Sequence, residues 1–435
     1  MSVSELLVIG GMLLGILLTL YLIGVPVAIA MGATVMVMWL SPFGDGINFT
    51  VVSTRLLFGI NSFPLLAIPF YVLLGRLMNR VGMTERIFRF AGSLVGHYRG
   101  GIAQVNVLAS MVFAGMSGLS TADAAGLGRI EYAAMREYGY SKSDALGITS
   151  ASTLIGPLIP PSVSIIIYSV LAEQSIGQMF LAGLVPGVLM GLTLMGFVVV
   201  LSYYKGFDHD QEFELAEIVD SFKDSVLALL TPILVIGGIL SGLFTATEAG
   251  AVAVVYIALV GAVAYDELTL SGLYEELKNS MIETSALTFI IAVASLYGLV
   301  ALQLGVPRLL VEEFAVLTAN PTYLLFILVF VFLVVGTFMD TIAAMTVLIP
   351  IILPLLEIAG IDLVHFGIVM FIALLLGLLT PPFGIILFVM EKVTDASLEE
   401  VIRAVLPYYV PILFVLLLCI LVPDVVTYLP FELMG

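Results

Sequence analysis

Apolar positions run along the chain in stretches of about twenty residues, the length that crosses a bilayer as a helix. They begin with "MSVSELLVIGGMLLGILLTLYL" and recur to the C-terminal end. Counted by hydropathy, they predict about eleven crossings. Two stretches break their own pattern. "STLIGPLIPPSVSIIIYSV" (152–170) and "LLGLLTPPFGIILFVM" (375–390) carry prolines in the middle of greasy, otherwise helical runs. Proline removes an amide donor and clashes with the preceding turn, costing about 3 kcal/mol inside a helix. Polar backbone groups left bare in hydrocarbon add to that cost. A bound cation in the freed carbonyls would offset it.

The two breaks are copies. At an offset of 221, Gly115 falls on Gly336, Gly139 on Gly360, Gly156 on Gly377, and Pro160-Pro161 on Pro381-Pro382. With a two-residue shift, Gly82 also meets Gly305. Each copy holds the same parts. An apolar half-span runs to a polar or glycine-rich tip, "AGMSGLSTADAAG" (114–126) or "VGTFMDTIAAM" (335–345), and a second half-span returns before the broken span. The pieces before the tips, 101–116 and 324–336, read as too short to cross and therefore as re-entrant hairpins, with their irregular tips inside protein or beside water.

Charge sets the direction of entry. Arg76, Arg80, Arg86, Arg89, Arg99, Arg129, Arg136 and Lys142 flank the first hairpin, whereas Glu312, Glu313, Glu357 and Asp362 flank the second, with Arg308 its one base. By the positive-inside rule the first hairpin opens to the cytoplasm and the second to the outside. Lys392 and Arg403 fall inside again. The predicted fold is an all-α polytopic membrane protein of inverted-topology repeats, with two re-entrant helical hairpins and two broken helices. Discontinuous helices in inverted repeats place ion and substrate sites near the midplane of transporters.

Composition supports this class and excludes others. The 435 residues are 61% hydrophobic and 11% charged, where a soluble domain has about 25% charge. With 32 acids against 15 bases the net charge is −17, which argues against nucleic acid as a partner. Cys419 is alone, and His97, His209 and His365 are scattered, so no metal-ligand spacing and no catalytic cluster appears. The sequence predicts no enzyme, no cofactor and no cleavable signal. A channel would also use carbonyls, but it has no need of paired inverted tips.

The motifs "SGLSTADAAGLG", "STLIGPLIPPS", "GTFMDTIAAM" and "GLLTPPFG" together resemble the large membrane (DctM-like) subunit of tripartite ATP-independent periplasmic (TRAP) transporters, and the resemblance runs from "LIGVPVAIAMG" to the C-terminal spans. It implies sodium-coupled uptake of an organic acid (a C4-dicarboxylate, sialic acid, or another sugar or keto acid) by an elevator motion of the ion-transporter-superfamily kind. It further implies a small membrane subunit, a soluble extracytoplasmic binding protein, surrounding lipid, and residence in a prokaryotic inner membrane. The alternative is a stand-alone sodium/carboxylate symporter on the same plan. The expected layout is N-terminal scaffold helices over 1–62, a first repeat over 63–175 (hairpin about 101–138, broken helix about 143–172), and linking scaffold over 176–284. A second repeat follows over 285–390 (hairpin about 324–357, broken helix about 363–390), then a C-terminal helix over 391–435.

Sodium is a hard cation that takes several oxygens, as calcium and magnesium do. Matched to the family motifs, the first site is Ser117 and Ser120 from the tip with Gly156, Ile159 and Pro161 from the break. Leu119 stands where the family commonly has serine. The second site is Gly336 and Met339 from the tip with Gly377, Thr380 and Phe383 from the break, Thr380 adding a hydroxyl. Ser152, Thr153 and Asp340 are candidate substrate contacts. Asp123 reads as a carboxylate on the positive end of its helix, and Glu248 as a scaffold hydrogen-bonding group.

Overall fold

The computed structural model describes residues 3–44, 49–117, 120–207, 212–313 and 320–434, and those residues are helical with no strand. Two halves follow the same order of parts. The first runs through Val3–Leu22, Val27–Leu40, the pair Phe49–Phe58 and Ala67–Arg80, and the amphipathic Met83–Val95. Its hairpin has the arm Gly101–Ser117 and a return in two pieces, Ser120–Ala125 and Leu127–Glu137. The broken span Lys142–Ser152 and Val163–Leu171 follows, then the long helix Ile176–Lys205. The second half repeats this as Leu215–Leu240, Ala246–Leu259, Leu270–Gln303 and Val306–Glu313. Its hairpin is Pro321–Phe338 with Thr341–Ile358, its broken span Leu363–Leu378 with Ile385–Val393, and its close Leu398–Val405 with Tyr409–Leu421 and Asp424–Met434.

The same local chemistry makes the same joints twice. Gly82 and Gly305 (φ +66° and +78°) precede the amphipathic helices, and Gly139 and Gly360 (+85° and +65°) turn the chain from hairpin to broken span. A left-handed φ suits glycine and few other residues. Side-chain caps match as well: Ser141 and Asp362 start the broken spans, and Ser175 and Ser397 start the helices after them. The common order of parts extends beyond the limits 63–175 and 285–390 on both sides.

The halves interlock by exchange. Val27–Leu40 packs on Leu270–Gln303, while Ala246–Leu259 packs on Ala67–Arg80. Val163–Leu171 docks on the second hairpin's return, Thr341–Ile358, and Ile385–Val393 docks on both pieces of the first hairpin's return. Each broken span thus finishes against the hairpin of the other half. Both Pro-Pro bonds, Pro160-Pro161 and Pro381-Pro382, are cis.

Among the described residues eight helices are long and apolar enough to cross a membrane, or nine when Val52–Phe58 and Phe63–Arg80, bent by 57°, count as one. The sequence count of about eleven also takes in apolar helices that are shorter than a span, such as Val27–Leu40 and Leu363–Leu378. One arm is longer than expected. Pro321 occupies the first turn and the Asn320 side chain accepts from the amides of Thr322 and Tyr323, so the second arm starts before residue 324 and reaches 18 residues. At 1.5 Å per residue that is about 27 Å, close to a hydrocarbon core, so this arm is not too short to cross.

Candidate functional site

In the first repeat the helix ends at Ser152 and residues 153–162 are irregular. The cause lies five residues on. Pro157 has no amide for the Thr153 carbonyl and its ring clashes there, while the Thr153 hydroxyl donates to Ser150 O at 2.8 Å and closes the last turn. Backbone bonds around this stretch end on Ala151, Ser152, Ile155 and Ser162 oxygens. The carbonyls of Gly156, Ile159 and Pro161, predicted as sodium ligands, receive none of them. The segment is covered by Ile176–Lys205. A Cβ on Gly183 would stand 2.4 Å from Leu158 O, and one on Gly187 would stand 2.5 Å from the Ile159 side chain. Glycine lets the helix lie directly on the break.

The hairpin meets this break through Asp123. A Cβ built on Gly156 would lie 2.1 Å from Asp123 Oδ2, so the carboxylate rests against the glycine backbone of the broken span. Sequence reasoning placed Asp123 on a helix dipole and missed this contact, which depends on tertiary packing. Beside it, Ser120 Oγ is buried without a hydrogen-bond partner. Ser117 ends the arm, its side chain outside what is described, and Leu119 and His209 also lie outside the described residues. Ser152 is fully buried and donates to Asn106 Oδ1 (2.7 Å) and Thr149 O (2.9 Å). Asn106 Nδ2 in turn donates to Thr149 Oγ1 at 2.7 Å. This network binds the arm to the first half of the broken span.

In the second repeat Leu378 stands where the first has Pro157, and the helix continues to Leu378. Only residues 379–384 are irregular. Here tip and break touch backbone to backbone. A Cβ on Gly377 would lie 2.6 Å from Gly336 Cα, and one on Gly336 would lie 2.7 Å from Leu374 O. Gly336 sits in the last turn of its helix, where carbonyls lack amide partners. Met339 leaves the helix in an extended conformation, with its side chain buried. The Asp340 side chain caps the return helix by accepting from Ile342 N at 3.0 Å. The Thr380 hydroxyl donates to Leu376 O at 2.8 Å, which leaves its oxygen lone pairs available. Phe383 is 49% exposed and its ring lies 5.1 Å from that of Phe338. Gly377 O and Thr380 O each already accept one backbone amide, from Thr380 and Gly384.

One matched feature escaped sequence reading. Thr341 occupies the position of Ser120 in the repeat, and Thr341 Oγ1 is likewise buried without a partner. Buried hydroxyls are normally satisfied, and these two unsatisfied ones stand at equivalent positions, each opening a return helix. The only available signal was the alignment of Ser120 with Thr341. Glu248, by contrast, forms a capping box with Thr245.

Charged groups outside the spans tie the same parts together. Lys142 donates to Asp395 O (2.7 Å) and pairs with Glu400 (3.1 Å), and the Tyr132 hydroxyl donates to Asp395 Oδ1 at 2.7 Å. That hydroxyl, more than the nearby bases, holds the Asp395 carboxyl below its ordinary range. Lys205 closes the long helix onto Asp144 at the start of the first broken span.

Two interlocked helical halves, each with a proline-broken span whose end is docked on the opposite hairpin, define a membrane transporter architecture. The solved YdaH transporter of Alcanivorax borkumensis shares this fold, with a TM-score of 0.62 over 88% of this chain and 89% of that one at 15% identity. The Neisseria gonorrhoeae efflux pump MtrF follows at 0.52 and 15% identity, over 88% and 85%. The chain belongs to the DctM component family of tripartite ATP-independent periplasmic transporters, whose model matches residues 14–425. It is therefore a TRAP transporter large permease subunit and a multi-pass inner-membrane protein. It is 40% identical to the sialic acid TRAP transporter large permease protein SiaM of Vibrio cholerae over 95% of this chain and 96% of that one. It is 36% identical to the 2,3-diketo-L-gulonate large permease YiaN of Escherichia coli (95% and 97%) and 38% identical to the C4-dicarboxylate large permease DctM of Pseudomonas aeruginosa (85% and 86%).

Proposed function

We propose that this subunit carries an organic acid into the cell by sodium-coupled secondary transport, receiving it from a soluble binding protein and working with a small membrane subunit. The observation that carries the reading is the pair of unsatisfied buried hydroxyls, Ser120 and Thr341, at equivalent tips of two repeats that each also hold a proline-broken span. Neutral oxygens suit a monovalent hard cation better than a transition metal, which favours nitrogen and sulfur. The first site is then Ser117, Ser120, Gly156, Ile159 and Pro161, and the second Gly336, Met339, Gly377, Thr380 and Phe383, with Thr341 added to it. Asp340 and the unwound segments border the substrate.

The exchanged docking of the broken spans supports an elevator motion. Hairpins and breaks hold one another as a block. Ile176–Lys205 lies on the first break so closely that it rides with it. The substrate class is the one named for the relatives: sialic acid, 2,3-diketo-L-gulonate and C4-dicarboxylates. Reconstitution tests the whole reading. Uptake into proteoliposomes should require an inward sodium gradient, the small subunit and the loaded binding protein together. Full-rate uptake by this chain alone would favour a stand-alone symporter, and uptake without sodium would remove the coupling ion.

A further inference from the structure

We infer that the cleft under the bend between Phe49–Phe58 and Ala67–Arg80 is a binding subsite for a hydroxylated monocarboxylate, with Arg55 as its carboxylate contact and Glu173 as the group that turns away a second carboxylate. This rests on the organic-acid reading above and narrows it. The cleft has a volume of about 620 Å³, within the range of small-molecule sites. Its three walls come from parts that an elevator would move past one another. Arg55 and Gly59 belong to the bent pair, Ser295 and Gly298 to Leu270–Gln303, and Glu173 and Pro350 to the broken span's end and the second hairpin's return.

Arg55 is the one basic residue lining the cleft. It lies in the apolar run "FTVVSTRLLF" of a helix pair that reads as one bent span. A charge within a span is costly and persists where it faces water or a partner, which makes it a functional candidate by default. Among the described residues Arg55 forms no ion pair, whereas Arg76, Arg80 and Arg89 in the same half all do. Arginine offers a planar fork that matches a carboxylate through two hydrogen bonds. The close contact of Gly59 with Ser295, where an added Cβ would meet the serine Cβ at 2.7 Å, fixes this wall.

The opposite wall supplies acceptors. Pro354 lacks an amide, so the carbonyl of Pro350, a residue of this wall, has no i+4 donor and suits a hydroxyl of a sugar acid. Glu173 carries the only other charge on the lining. It repels a second carboxylate and tolerates hydroxyls, so a dicarboxylate is disfavoured. Pro350 stands on the helix that opens with Thr341, roughly 14 Å along its axis. The subsite therefore lies beyond the proposed ion site on the same return helix, as an entry position.

A reporter cysteine in the cleft tests this. Ser62→Cys in a Cys419→Ser background is labelled with a water-soluble maleimide in the purified full-length chain, with sialic acid, gluconate or succinate present at millimolar concentration. Sialic acid or gluconate should slow labelling several-fold and succinate should not. Arg55→Gln should weaken the protecting acid by roughly tenfold or more, as loss of a charge-assisted pair does, and Arg55→Lys should restore part of it. Glu173→Gln should let succinate protect. Protection that survives Arg55→Gln, absence of protection by every acid, or equal protection by succinate in the unmodified cleft would overturn the inference. Those outcomes leave sodium-dependent uptake untouched, so the transport reading and this subsite fail separately.

Discussion

The two breaks perform one task with different materials. The first spreads over ten residues, 153–162, nearly all buried beneath the glycine face of Ile176–Lys205. The second takes six residues, 379–384, and leaves Phe383 half exposed. Side-chain hydrogen bonds join arm to span in the first repeat, through Asn106, Thr149 and Ser152. Their counterparts Ile327, Met370 and Ala373 are apolar, and there the Gly336–Gly377 approach and the Phe332–Phe366 ring contact at 5.7 Å replace them. Pro157 against Leu378 sets the difference in length. The repeat keeps its joints while the glue around them changes.

The contrast predicts unequal tolerance. Gly377→Ala pushes a methyl into rigid backbone, whereas Gly156→Ala meets the end of the Asp123 side chain, which can swing away. Overpacking costs about 1–3 kcal/mol where nothing yields, so the sodium concentration for half-maximal uptake should rise about tenfold to a hundredfold for Gly377→Ala and markedly less for Gly156→Ala. Equal effects would show that both glycines face yielding neighbours. Next in size, Ser120→Ala and Thr341→Val should each raise half-saturating sodium by about tenfold, since each removes an oxygen from a bound cation. An unchanged curve for Thr341→Val would take that hydroxyl out of the second site.

Thr380→Val is expected to shift the curve by about threefold to tenfold, because its proton is already given to Leu376 O and only the lone pairs serve the ion. Ile159→Val, at the equivalent position, should leave sodium dependence unchanged, as only a carbonyl acts there. Activity curves for the two variants that coincide would contradict the asymmetry. The smallest effect concerns the surface clamp. The Asp395 carboxyl is held below its ordinary value, first by the Tyr132 hydroxyl. Its contribution is therefore complete above the ordinary carboxylate value of about 4 and is lost as pH falls through the lowered one. Tyr132→Phe should lower the melting temperature slightly at pH 7, and the difference from wild type should vanish in stronger acid. A constant difference across that range would mean the tyrosine acts by packing.

Much of this was legible from spacing alone. The co-aligned Gly139 and Gly360, the two Pro-Pro breaks and the tips all declare themselves through residues whose backbone chemistry has few substitutes. What stayed hidden depends on which surfaces meet. Asp123 against Gly156, the orphan hydroxyl of Thr341 and the position of Arg55 in a cleft are tertiary facts with no local signature. The second arm is longer than 324–336 because Pro321 serves as the first residue of a helix capped by Asn320. Ser152 and Thr153 offer hydroxyls in the sequence, and in the structure those protons are engaged with Asn106, Thr149 and Ser150.

The exchange of broken-span ends also bears on how the protein is made. Ser120–Ala125 and Leu127–Glu137 leave the ribosome early, yet the segment that covers them, Ile385–Val393, emerges after more than half the chain has followed. At synthesis rates of roughly 5–20 residues per second, the first hairpin waits on the order of ten seconds or longer without its cover. During that interval its buried acid Glu131 and the amides of its split return face lipid, water or an insertion factor instead. Biogenesis, and not only transport, then depends on the second half arriving in time.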